Sequence, residues 1–216
     1  STDRRHFDEV ELTLSEEAAR QEAARCLDCH LICSTCVSVC PNLAFMTYRM
    51  PAFETTLPEI RLLHGEVAFG GGRRFRVEQQ LQVAVQTDFC NECGNCATFC
   101  PTAGRPYKDK PRLYLNWNEF EAEKDNAFML LRSENAWGIR GRFAGETHTL
   151  LLGGEAVYTS PRLKAKLHPE TLDLHEVVPA SAMKEGERAS LEPCAVMFVL
   201  LNGLKSSRPY LPAAEA

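Results

Sequence analysis

Apolar positions fall along this chain in two different periods. In "SEEAARQEAARCLD", residues 15–28, Ala19, Ala23 and Leu27 recur on one helical face. Ser15 stands as the N-cap, and Glu16 and Glu17 lie where the helix dipole favours negative charge. This pattern predicts a helix that delivers Cys26 and Cys29 to the first cysteine run. After Pro41 the segment "AFMTYRM" reads as a short strand, and "LQVAV" alternates as a strand running into Cys90. Beyond residue 111 the runs "RLYLNW", "AFMLLR", "THTLLLG", "EAVYT" and "LDLHEVV" are short, apolar and separated by charged or glycine-bearing turns. They predict a mostly β region. The last apolar segment, Pro193 to Leu204, predicts a helix with Gly203 near its end, although its β-branched content also allows a strand. "FGGGRR" at 69–74 predicts a turn, because three adjacent glycines lack the spacing and the following helix of a phosphate-binding loop.

Composition narrows the function classes. The chain has 216 residues, 44% of them apolar, and a net charge of -5. Basic residues are scattered apart from Arg73, Arg74 and Arg76, which argues against a nucleic-acid-binding surface. No run of eighteen apolar residues is present, so no membrane span is expected; the longest candidate, residues 194–204, is too short. Nine of the ten cysteines fall in two runs, Cys26 to Cys40 and Cys90 to Cys100, and Cys194 stands apart. Disulfide frameworks belong mostly to small secreted chains, and this one shows neither the small size nor a signal peptide. The cysteines therefore read as metal ligands and the location as cytoplasmic.

The second run, "CNECGNCATFCP", has the form C-x2-C-x2-C-x3-C-P through Cys90, Cys93, Cys96, Cys100 and Pro101. This is the spacing of the bacterial two-cluster ferredoxin motif, in which the fourth cysteine reaches the other [4Fe-4S] cluster. Gly94 admits the tight backbone such a loop needs, and Pro101 sets the direction of exit. The first run repeats the pattern with one residue inserted, as Cys29, Cys33, Cys36, Cys40 and Pro41, and His30 stands where a cysteine would be expected. The sequence reading is thus two [4Fe-4S] clusters, one held by Cys29, Cys33, Cys36 and Cys100 and the other by Cys90, Cys93, Cys96 and Cys40. The competing reading is two structural zinc ions on the same eight thiols. Cys26 is read as a neighbour on the first helix, with ligation in place of Cys29 as its alternative, and His30 as a solvent-facing or hydrogen-bonded side chain. Cys194, among Ala195, Val196 and Met197, is read as a small buried hydrophobe. Phe45, Phe89 and Phe99 are expected to exclude water from the clusters, and Asp88 and Glu92 to act on them through charge.

Two stretches carry a family resemblance. "FDEVELTLSEEAARQEAARCLDC", residues 7–29, resembles the segment beside the nucleotide-binding region of glutamate-synthase-small-subunit-like flavoproteins. "TDFCNECGNCATFCPTAGRPYKDKP", residues 87–111, resembles the carboxyl-terminal iron-sulfur region of the selenate reductase subunit family. The resemblance implies electron transfer between a flavin/pyridine-nucleotide component, carrying FAD and NAD(P)H, and another redox centre, including a molybdenum-dependent enzyme. No G-x-G-x-x-G follows a predicted strand here, so flavin chemistry is expected on a separate subunit or on another part of a longer protein. A fragment of a self-contained iron-sulfur flavoprotein reductase is the remaining alternative.

The expected fold class is α+β, a two-[4Fe-4S] ferredoxin-like core with a mostly β carboxyl-terminal extension. Its expected divisions are a helical lead-in over 1–25, a ferredoxin-like domain with an insertion over 26–110, and an accessory region with a terminal apolar segment over 111–216. No catalytic residue is assigned.

Overall fold

The computed structural model describes residues 13–24 and 33–215. The chain divides into two units, Ser1–Cys33 and Ser34–Ala216. In the first, the helix Glu16–Ala24 begins where the sequence places it: the Ala18 amide donates to Ser15 Oγ at 3.2 Å, and Arg20 pairs with Glu16 one turn earlier. None of its residues is buried. Cys26, Leu27, Cys29 and His30 lie outside the described residues.

Among the described residues the second unit has thirteen strands in two sheets. They are β1 (Phe45–Arg49), β2 (Phe53–Leu63), β3 (Glu66–Val77), β4 (Leu81–Gln86), β5 (Arg112–Leu113), β6 (Ala127–Arg132), β7 (Trp137–Phe143), β8 (Glu146–Leu152), β9 (Ala156–Thr159), β10 (Leu163–Leu167), β11 (Leu174–Pro179), β12 (Arg188–Ala189) and β13 (Ala214–Glu215). The large sheet runs β1-β4-β5-β6-β7-β8-β9-β10-β11, with β13 beside β6; the small one runs β12-β2-β3. Pairing is parallel at β4–β5, β5–β6 and β13–β6, and antiparallel elsewhere.

This corrects the expected fold class. The fold is mixed α+β and rich in sheet, and the segments that carry Cys36 and Cys40 and Cys90 to Cys100 are attached to one edge of the large sheet instead of forming a ferredoxin-like core of their own. The physical reason is the parallel ladder through β5. It joins Val85 to Arg112 and Arg112 to Ala127, so hydrogen bonding is continuous from the β1–β4 pair into the strands of the carboxyl-terminal half.

Side-chain period explains the layers. In β10, Leu163, Ala165 and Leu167 point into the core and alternate with the lysines. Strand β6 is apolar on both faces: Phe128 and Leu130 join the main core, while Ala127 and Met129 pack with Tyr114 and Phe120 under the helix Trp117–Ala122. The helix Glu192–Ser207 fills the main core with Cys194, Ala195, Met197, Phe198, Leu200, Leu201 and Leu204, packed on β1, β7 and β8. Cys194 is fully buried, as a small hydrophobe would be, and burial pushes its thiol pKa up. "FGGGRR" is not a turn but the middle of β3. The reversal sits at His64 and Gly65, both with positive φ, and the Glu185 carboxylate accepts their two amide protons.

Two contacts in this core give measurable expectations. A methyl group on Gly203 would stand 2.7 Å from Cε2 of the buried Tyr48 ring. Gly203→Ala is therefore expected to lower unfolding stability by roughly 1–3 kcal/mol in a urea titration, against the gain in helix propensity. His148, 7% exposed, has Nδ1 2.6 Å from the Tyr158 hydroxyl, and burial holds its pKa below the usual imidazole value, opposed by Glu146 and aided by Arg162. The unfolded chain then binds this proton more tightly than the folded one does. Stability is complete above the unfolded pKa of about 6.5 and falls as pH drops below it. Urea titrations from pH 7.5 to 5 should show that loss, and His148→Gln should remove its share.

Candidate functional site: a thiol-lined cavity

Both cysteine runs fold into the same local shape, sixty residues apart. Ser34 O accepts from Val37 and Gly94 O from Ala97, each at 2.9 Å, opening the single helical turns Thr35–Ser38 and Asn95–Thr98. Gly94 takes φ +83°, the left-handed conformation that glycine adopts without a Cβ penalty. Each run then closes on a turn in which a backbone amide reaches back to sulfur: Ala44 N–H to Cys40 Sγ at 3.4 Å, and Gly104 N–H to Cys100 Sγ at 3.3 Å. Leu43 and Ala103, the residues before those amides, both have φ +54°.

The two helical turns pack against each other beside β1. Cys36 and Cys96 are buried with Phe45, Val83 and Val85, and Cys40, Cys90 and Tyr107 pack around them. A small cavity of about 10 Å³ is walled by Cys40 from the first run and by Cys90, Cys93 and Cys96 from the second, with Phe45 and Tyr107 completing it. That is about the room one water molecule needs. Burial raises the Cys96 thiol pKa, partly offset by the Tyr107 backbone, and the neighbouring Cys90 and Cys40 thiols raise it further. Cys100 is displaced the other way. Thr102, through its hydroxyl at 3.4 Å and its amide, together with Gly104, lowers its pKa.

These placements correct the cofactor assignment. Among the described residues no group of three or more His, Cys, Asp or Glu side chains is placed to hold a metal ion. That finding overturns the two [4Fe-4S] clusters and the electron relay through them, and equally the two four-cysteine zinc sites. The thiols lie at different depths, Cys93 exposed and Cys96 in the apolar cluster, and Cys100 does not line the cavity that Cys40, Cys90, Cys93 and Cys96 share. Cys33 belongs to the first unit, and Cys29, the remaining expected ligand, lies outside the described residues. The expected water shield is also corrected. Phe45 is buried, but Phe89 and Phe99 are each 59% exposed. Asp88 accepts from the Gln86 side chain at 2.7 Å, and Glu92 lies 3.8 Å from Lys108.

Sequence reasoning overlooked a polar group behind Cys90. Arg112 donates two hydrogen bonds to Glu123, at 3.0 and 2.9 Å, and the Tyr114 hydroxyl donates to the same carboxylate at 2.8 Å. Arg112 holds the Glu123 pKa below the usual carboxylate range, with Tyr114 assisting. Burial and Glu123 push the Tyr114 pKa up. With Cys90 and Tyr107 these three residues line a second cavity of about 310 Å³. The available signal was "RPYKDKPRLY", which places Tyr107, Arg112 and Tyr114 at short spacing but does not name their partner, Glu123.

Comparison with known proteins adds a partial relationship. The chain is 36% identical over 110 residues to "Putative oxidoreductase YgfK" of Escherichia coli strain K12, and equally to the protein of that name in Escherichia coli O157:H7. The match covers 51% of this chain and only 8% of the relatives' length. No family model matches, and no solved structure matches. The similarity associates the chain with an oxidoreductase in general terms. It does not support the expected iron-sulfur region of a selenate reductase subunit or glutamate-synthase-like flavoprotein, nor a specific flavin or molybdenum partner. Among the described residues no helix is long and apolar enough to cross a membrane.

Thiol chemistry is set by exposure and pKa together. On limited alkylation with iodoacetamide at pH 7.5, Cys93 and Cys100 should be modified first, Cys96 later and Cys194 last, as read by peptide mass spectrometry. Stoichiometric iron with acid-labile sulfide, or stoichiometric zinc, in protein purified without air would overturn this order.

Proposed function

We propose that this chain is the thiol-bearing segment of a larger oxidoreductase, and that Cys40, Cys90, Cys93 and Cys96 carry its part in that enzyme's redox reaction. The observation behind the reading is the common wall: four thiols from two distant runs border one cavity, held by an apolar cluster at the edge of a large sheet. The partial similarity to a protein named as an oxidoreductase supports the reaction class. A reducing compartment suits it, since Cys40, Cys90, Cys93 and Cys96 are in no disulfide. The partner in this reading is another component of the same oxidoreductase.

The test uses the whole oxidoreductase that contains the segment. Cys40→Ser and Cys93→Ser, at positions where a hydroxyl is nearly isosteric, should each lower turnover with a dye acceptor by at least about tenfold, a barrier change near 1.4 kcal/mol. Cys194→Ala, remote from the cavity, should retain turnover at temperatures where the protein is folded. Full turnover in the Cys40→Ser, Cys93→Ser double variant would refute the proposal.

A further inference from the structure

An open cavity of about 540 Å³ in the second unit shares no lining residue with the thiol wall. Its size falls in the range of small-molecule sites. Leu57, Pro58 and Ala189 supply apolar surface from β2 and β12, and Gly71 and Gly72 of β3 supply bare backbone. The two glycines differ in purpose. A Cβ at Gly72 would collide with Thr56 Cγ2, so that residue is dictated by the hairpin's own packing. A Cβ at Gly71 would meet nothing within 4 Å, so packing leaves that position free.

Both signs of charge meet at the rim, where Glu59 is shared by Arg188 and, at 2.8 Å, Arg61. Arg73 Nη1 lies 2.6 Å from Glu192, and Arg188 Nη1 lies 3.0 Å from Glu59. Both arginines are mostly exposed, 75% and 64%, so these ion pairs are weak and open at little cost. A simple anion entering beside the arginines would meet the Glu192 and Glu59 carboxylates, and a simple cation would meet the arginines. A ligand bearing both charges finds a partner of each sign at this rim.

We propose that this cavity binds a small zwitterion with an apolar body, the chemistry of a short apolar peptide with free ends. The carboxylate goes to the arginines, the ammonium to Glu59 or Glu192, and the side chains to the surface formed by Leu57, Pro58 and Ala189.

Calorimetric titration of the whole chain with L-leucyl-L-leucine, its N-acetyl form and its C-terminal amide tests this. The free dipeptide should bind saturably, and each capped form at least about tenfold more weakly, because each loses one charge-assisted contact. Gly71→Phe should abolish binding without moving the thermal midpoint. Should that variant fold poorly, the Arg73→Gln, Arg188→Gln double variant decides: the free dipeptide should bind it no better than the amide binds the unaltered protein. No saturable binding of the free dipeptide, equal binding of all three probes, or undiminished binding to either folded variant would overturn the proposal.

Discussion

Strand β4 has to satisfy two cores at once, and the position of the cysteine runs depends on it. Ala84 faces the main core beneath the helix Glu192–Ser207, while Val83 and Val85 face the opposite way, against Cys36 and Cys96. Its partner β1 divides likewise: Tyr48 goes to the main core and Phe45, paired with Val85, to the thiol side. Single helical turns of four residues have almost no stability of their own, because nucleation costs more than one turn returns. Burial of Phe45, Val83 and Val85 contributes roughly 1.5–3 kcal/mol each. Packing on β1 and β4, not local propensity, therefore fixes where the turns sit. At the end of β4 the buried Gln86 is satisfied by Asp88 and by the Leu113 carbonyl, and the chain passes through a short turn directly into Cys90.

The repeated turn illustrates how equal local geometry yields unequal chemistry. Leu43 and Ala103 accept the same left-handed strain, of order 1 kcal/mol each, and both runs return an amide to the fourth sulfur. Yet Cys40 is part of the cavity wall, whereas Cys100 also receives Thr102 and has its pKa lowered. The difference comes from what surrounds each turn, since the backbone path is shared.

The same distinction decides what could be read from the sequence. The helix of the carboxyl-terminal segment was legible because Cys194 to Leu204 is apolar over nearly three turns, and β6, β8, β9 and β11 were legible as short apolar runs bounded by turns, whereas β10 was not read. The two-residue β5 carries no period, so the parallel ladder that joins the two halves of the chain could not be seen. Three glycines suggested a turn because composition does not reveal that Gly72 is needed for close approach to Thr56. Cysteine spacing specified a repeated backbone turn, but not the depth of each sulfur, which tertiary packing sets; Cys93 is exposed and Cys96 buried three residues apart. Phe89 and Phe99 show the same limit, since adjacency to a cysteine does not make an aromatic ring part of its shell.

One helix ties the two candidate sites to a common frame while keeping them apart. Glu192, in its first turn, borders the larger cavity, and Ser207, at its end, exchanges hydrogen bonds with the backbone of Arg49 on β1. Sixteen helical residues span about 24 Å. The two cavities share no lining residue, so changes at one and at the other should add in stability. Coupling would require the helix to have two arrangements. Its burial on β1, β7 and β8, with Gly203 pressed against the Tyr48 ring, argues for one.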